Sequence, residues 1–157
     1  MIDYINLGDM LPAIKDKLDE GGTVSLTVTG NSMRPLFKSS VDRVDLIKPV
    51  FPLKKYDMPL HIRPDGHFVL HRVISFNGEK YKIRGDNCYY DEFVPEESIV
   101  ALVSAFTHKD KKYTVNDFAY KLYCPLRCSE FSYFIRSKIY RPLRRIGGKI
   151  KRIIIKK

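Results

Sequence analysis

The sequence predicts a mainly β domain with an N-terminal helix and a helical, basic C-terminal tail. Three observations lead there. Apolar and polar residues alternate with period two over Thr23–Thr29 and Arg43–Lys48, the pattern of half-buried strands, and Phe68–Phe76 is the most strand-like run in the chain. Asn77-Gly78 separates the last of these runs from Glu79–Arg84, which is a hairpin signal. Helical spacing is confined to the first 22 residues and to the region beyond 113. With 157 residues of which 44% are hydrophobic, the chain has enough apolar surface for one sizeable core.

The elements follow in order. Leu7, Met10, Leu11, Ile14 and Leu18 recur at helical spacing, Asp9 favours the first turn, and Gly21-Gly22 ends the pattern, so residues 1–22 are expected to contain one amphipathic packing helix. No charged leader followed by an apolar run and a cleavage site is present, so no signal peptide is expected there. Residues 23–112 form the main β domain. Val24, Leu26 and Val28 share one face of the first strand, and Val44 and Leu46 share one face of the second. Pro59 limits Tyr56–Ile62 to an edge strand. Pro64-Asp65-Gly66 is a turn, after which Phe68–Phe76 reads as one continuous strand with His71 in its middle. Glu97–Thr107 reads as a continuous buried strand that closes the sheet.

Charge is unevenly placed. Residues 1–116 hold 16 basic and 16 acidic side chains, whereas residues 117–157 hold 12 basic and 2 acidic, so the net +10 belongs to the tail. In residues 113–157 aromatic and basic residues interleave, from Phe118, Tyr120 and Lys121 to Arg136 and Lys138, and Ile146, Ile150 and Ile153–Ile155 follow among further cations. A helix of this composition has an apolar stripe and a cationic face, the profile of a segment lying on an anionic membrane surface. A packing element is the second reading and a nucleic-acid arm the third. No run approaches the ~20 apolar residues of a membrane span, so a cytoplasmic location, peripheral on the inner membrane face, is expected. Cys88, Cys124 and Cys128 are odd in number and fit a reducing compartment. His67 and His71 share one face of a strand, but no acid or cysteine pattern completes a ligand set, so neither a metal nor another cofactor is expected.

Chemistry concentrates in Thr29-Gly30-Asn31-Ser32-Met33-Arg34-Pro35. Gly30 permits a positive φ, Met33 is an apolar anchor and Pro35 fixes the exit direction, which leaves the Ser32 hydroxyl facing outward. A surface turn has similar composition. Downstream, His71 emerges between Val69 and Val73, and Gly85-Asp86-Asn87 follows the hairpin. A histidine base starts near pKa 6.5 and needs little adjustment to accept a serine proton, with activity rising through about pH 6 to 7. In register, the hairpin delivers Asp86 toward His71; an Asx turn is the competing reading of Asp86, and Asp91 and Glu92 are alternative orienting acids.

The ordered set Ser32-Met33-Arg34-Pro35, His71-Arg72-Val73 and Gly85-Asp86-Asn87 resembles the signal peptidases of the archaeal and endoplasmic-reticulum type, and the wider clan of LexA-type serine peptidases, over about residues 23–105. That resemblance implies a LexA/signal-peptidase-like β-fold and a serine endopeptidase in which Ser32 is nucleophile, His71 general base and Asp86 the orienting acid, with Gly30, Met33 and Pro35 at the oxyanion and substrate side. Gly30 stands where signal peptidases commonly have a hydroxyl residue, and Tyr56 replaces the glycine of their Gly-Asp pair. A self-cleaving repressor would carry an Ala-Gly or Cys-Gly bond ahead of the serine, and neither dipeptide occurs. Cleavage of a peptide or protein in trans is the leading expectation. The alternatives are a catalytically silent peptide-binding module and a LexA-like regulatory domain.

Overall fold

A computed structural model describes residues 7–140. Its first element is the amphipathic helix α1 (Leu7–Asp19), which buries Ile14 and Leu18, and nine strands follow: β1 (Val24–Thr27), β2 (Arg43–Ile47), β3 (Pro59–Ile62), β4 (Phe68–Leu70), β5 (Arg72–Phe76), β6 (Lys80–Arg84), β7 (Glu92–Pro95), β8 (Ile99–His108) and β9 (Lys111–Thr114). Two helices, α2 (Phe118–Cys128) and α3 (Glu130–Phe134), then lead into a π-helical segment over Ile135–Tyr140. The protein is mainly β, and every strand pair is antiparallel.

Two sheets share the strands. The first runs β1-β2-β8-β3-β4 with β9 also on β8, and the second runs β5-β6-β7. The long apolar strand β8 therefore lies inside its sheet, with β2 along one edge and β3 and β9 along the other. Pro59 does not make β3 an edge strand: β3 pairs with both β8 and β4. Proline is the first residue of β3, a position where its missing N–H is tolerated.

The run Phe68–Phe76 is not one strand. Phe68–Leu70 pairs with β3 in the first sheet, Arg72–Phe76 pairs with β6 in the second, and His71 is the residue at which the chain changes sheets. At this corner the inside-outside alternation stops, and His71, Arg72, Val73 and Ile74 are all buried. The hairpin expected after it is present. Phe76 pairs with Tyr81, the Asn77 N–H donates to the Lys80 carbonyl (3.3 Å), and the tip is Gly78-Glu79, with Gly78 at φ 99°.

The main core lies between the first sheet, α1 and α2, and includes Ile14, Leu18, Met33, Phe37, Leu46, Met58, Val103, Phe106, Tyr120 and Cys124. A smaller one beneath the second sheet is built on Tyr81, Val73, Ile83 and Val94. Strand pairing and core packing continue across residue 112. Residues 111–114 pair with β8, and α2 contributes Tyr120 and Cys124 to the main core. The helical character expected of the tail is present over 118–134, whereas residues 141–157 lie outside the described residues. Among the described residues no helix is long and apolar enough to cross a membrane.

Candidate active site around Ser32 and His71

Ser32 lies in a tight turn after β1. Gly30 has φ 82°, the conformation that favours glycine, and its N–H donates to Ser39 Oγ (3.0 Å). That bond takes Gly30 N–H out of any oxyanion role. Met33 and Phe37, each only 2% exposed, anchor the turn in the core. Pro35 is exposed and borders a small apolar cavity of about 190 Å³ with Leu36, Phe106 and Tyr123. Ser32 itself is half-buried, and its N–H and hydroxyl bond to no described residue.

The Gly85–Cys88 loop is stitched onto this turn. The Asn87 N–H donates to the Ser32 carbonyl (2.7 Å), and Asn87 Nδ2 donates to the Asn31 carbonyl (3.2 Å). Gly85 is the contact point. A Cβ at that position would stand 2.7 Å from the Ser32 carbonyl, 2.9 Å from His71 Nε2 and 2.7 Å from Cys88 Sγ. All three sequence segments therefore meet around one residue that has no side chain. His71 Nε2 has Cys88 Sγ as a neighbour at 3.9 Å and makes no hydrogen bond to the Ser32 hydroxyl in this resting arrangement.

The carboxylate beside His71 is Glu92 rather than Asp86. Glu92 Oε1 lies 3.2 Å from His71 Nδ1. The approach is too oblique for a formed hydrogen bond, and Nδ1 is a buried nitrogen without a partner among the described residues. Arg63 grips Glu92 with both Nε (2.8 Å to Oε2) and Nη2 (to Oε1). His61 Nε2 stands 3.5 Å from Oε2, and the two imidazole rings are 6.1 Å apart. Glu92 is thus shared by one guanidinium and two buried histidines.

Burial pushes the His71 pKa down to about 4, against a smaller upward pull from Glu92, so the imidazole is a neutral base at physiological pH. Burial also lowers His61. For Glu92, burial acts upward but is outweighed, chiefly by the hydrogen bonds and charge of Arg63, which hold the carboxyl below its ordinary range.

Asp86 has a different task. His71 and Arg72 are consecutive but face opposite ways, and Asp86 takes Arg72 in a two-point ion pair, Nε to Oδ1 at 2.8 Å and Nη2 to Oδ2 at 2.9 Å. Both residues are almost fully buried. The Tyr123 hydroxyl donates to Asp86 Oδ2 (2.9 Å), Cys128 Sγ donates to Oδ1 (3.4 Å), and Arg72 Nη1 donates to the Tyr120 hydroxyl (2.6 Å) and to Cys124 Sγ (3.2 Å). With its oxygens occupied, Asp86 fastens the Gly85–Cys88 loop to β5 and α2. Asp91 is likewise committed, to Arg84 and Lys82.

Two participants were not singled out from sequence, His61 and Arg63. His61 is on β3 and Arg63 follows directly after the strand, two residues on, and His61 pairs with Val69, two residues before His71. An i, i+2 pair of a histidine and an arginine beside a histidine-bearing strand was the available signal. Among the described residues no three histidine, cysteine or acidic side chains form a cluster that could hold a metal ion. In comparisons with known proteins, no family model, no curated protein and no solved structure matches the chain.

Proposed function

We propose that the protein is a serine endopeptidase, signal-peptidase-like in its fold and acting on a peptide or protein in trans, with Ser32 as nucleophile, His71 as general base and Glu92 as the orienting acid. The observation that carries this reading is the meeting of the Ser32 turn, His71 Nε2 and the Gly85–Cys88 loop around the Cα of Gly85.

In the proposed reaction Ser32 Oγ attacks the scissile carbonyl carbon while its proton passes to His71 Nε2. The Ser32 N–H, which bonds to no described residue, donates to the developing oxyanion. Collapse of the tetrahedral intermediate breaks the C–N bond, and Nε2 returns the proton to the leaving amine. Water then attacks the acyl-serine ester with His71 again as base, releasing the acid and restoring the hydroxyl. Positive charge on the imidazole during both steps is stabilised at Nδ1 by Glu92, which Arg63 keeps in place. Hydrogen bonds of this kind are often long or oblique in a resting site and shorten when substrate binds, which accommodates the oblique Nδ1 contact and the unengaged hydroxyl.

A fluorophosphonate probe provides the test. Wild-type protein is expected to be labelled on the peptide containing Ser32, and Ser32→Ala and His71→Ala are each expected to abolish labelling and peptide cleavage while the circular-dichroism spectrum is kept. The two residues act as a unit, so the double variant should be no worse than either single one. Peptide binding with no labelling or hydrolysis in the wild type would assign the fold to a silent peptide-binding module instead.

A further inference from the structure

Helix α2 carries two stripes of opposite fate. Tyr120, Cys124 and Cys128 are four apart and buried against Arg72 and Asp86, whereas Phe118, Leu122 and Leu126 are four apart and displaced by two residues, which puts them on the opposite face. That outer stripe is bare: Phe118 is 82% exposed and Leu126 68%. Phe131, at 74%, and Phe134 extend it onto α3. A folded domain rarely leaves so many large apolar side chains together unless the patch meets something.

Between α2 and the segment after α3 runs a groove of about 560 Å³ whose walls include Leu126, Phe131 and Ile135 and whose floor includes Arg127 and Arg136. Its charge is unbalanced. Neither arginine pairs with a carboxylate among the described residues, and the Nε of each is buried without a hydrogen-bond partner. Arg136 Nη1 donates to the Asp86 carbonyl (2.5 Å) and Nη2 to the Arg127 carbonyl (3.3 Å), while the Arg127 side chain bonds to no described residue. Burial and then the neighbouring Arg127 charge lower the Arg136 pKa. Two guanidinium groups that repel each other on the floor of an apolar groove are matched by an anion that carries apolar material with it.

We propose that this groove and the bare stripe beside it dock on an anionic phospholipid bilayer, the lipid phosphate lying between Arg127 and Arg136 and Leu126, Phe131 and the rest of the stripe entering the boundary of the acyl chains. A bilayer supplies both halves of the match over an extended area. Charge complementarity selects it: from 117 onward the chain has 12 basic and 2 acidic residues, and one of those acids, Glu130, is held by Arg84 and Lys82. Residues 141–157, outside the described residues, add eight cations and no acid. Docked this way, the helices would hold the Gly85–Cys88 loop over the surface, since Arg136 bonds the Asp86 carbonyl and the Tyr133 hydroxyl bonds the Tyr89 carbonyl (2.9 Å). The docking does not depend on the peptidase reading.

The test is sedimentation of the full chain with phosphatidylcholine vesicles with and without phosphatidylglycerol, at several salt concentrations. Binding is expected only when phosphatidylglycerol is present. Leu126→Ser/Phe131→Ser leaves every charge in place and changes only exposed side chains; it is expected to weaken binding at least tenfold and to abolish the part that survives high salt. Arg127→Gln, which breaks no side-chain bond among the described residues, is expected to weaken it about tenfold, and Lys111→Gln on β9, an equal loss of charge elsewhere, less than twofold. Thermal melting verifies that each variant is folded. The proposal is overturned if Leu126→Ser/Phe131→Ser binds as the wild type does, which would leave binding to diffuse tail charge. It is also overturned if millimolar inorganic phosphate displaces the vesicles, marking a free-phosphate site, or if the same double variant loses a single-stranded oligonucleotide as readily as lipid.

Discussion

Replacing Glu92 and Asp86 one at a time should separate chemistry from architecture. Glu92→Gln keeps the size of the side chain and leaves a carbonyl for Arg63, but removes the charge 3.2 Å from His71 Nδ1. At an effective dielectric of about 20, two unit charges at that separation interact by about 5 kcal/mol. Arg63 already neutralises part of the carboxylate and Glu92 is 18% exposed, so roughly half of that is expected to be lost from the transition state, or about 10² in kcat. Folding should change little, because Arg63 is one-third exposed and regains water. Asp86→Asn is the opposite case. It leaves Arg72, fully buried, without a counter-ion, a change that costs about 3–5 kcal/mol. In a domain of this size that lowers Tm by roughly 10 °C. Probe labelling at a temperature where all variants are folded, paired with thermal melts, reads both effects. If Glu92→Gln labels within twofold of wild type while Asp86→Asn loses labelling with its Tm unchanged, Asp86 is the orienting acid and the assignment to Glu92 is wrong.

Three further outcomes are expected. With its pKa near 4, His71 should place the acidic limb of the kcat/KM profile below the pH 6 to 7 range of an ordinary histidine; a limb above pH 7 would point to a lysine base. Stability should follow the same group. The folded pKa lies below the unfolded value near 6.5, so the contribution is complete above about pH 6.5 and falls as pH drops through about 4, by about 3 kcal/mol, with His61 adding in the same direction; urea melts at pH 7, 5.5 and 4 measure it, and a flat profile would contradict the burial of a neutral imidazole. Gly85→Ala should force apart the Ser32 carbonyl and His71 Nε2, lowering labelling at least tenfold and stability by about 1–3 kcal/mol, and wild-type labelling would show that the loop does not set the site.

Local pattern carried much of the fold because β2, β8 and the β5–β6 hairpin are strands whose apolar alternation or continuity survives in the structure. The break at His71 left no such mark. Residues 68–76 contain neither glycine nor proline, and the change of sheet is set at a distance, by β3 pairing with Phe68–Leu70 and β6 pairing with Arg72–Phe76. The same long-range geometry decided between the acids. Arg72 in an apolar run demands a buried carboxylate, and since Arg72 pairs with Arg84, Asp86 two residues on was the acid in reach. That reasoning would have freed Asp86 from His71 and turned attention to Glu92. In α2 both stripes are apolar by composition, so only the buried Arg72–Asp86 pair, reached by Tyr120, Cys124 and Cys128, fixes which one turns inward.

The corner at 71–72 ties stability and chemistry to a single backbone bend. A strand residue with a partner on each side would offer its side chain to one face only, but at a change of sheets two consecutive side chains can both be buried and diverge. Arg72 then fastens α2 and the Gly85–Cys88 loop, and His71 faces that same loop from the other side. Any movement of α2 away from Arg72 must therefore shift Asp86, Gly85 and the distance between the Ser32 turn and the imidazole. The helices that carry the exposed apolar stripe are, through Tyr123, Cys128 and Arg136 on Asp86, the second support of the candidate active site.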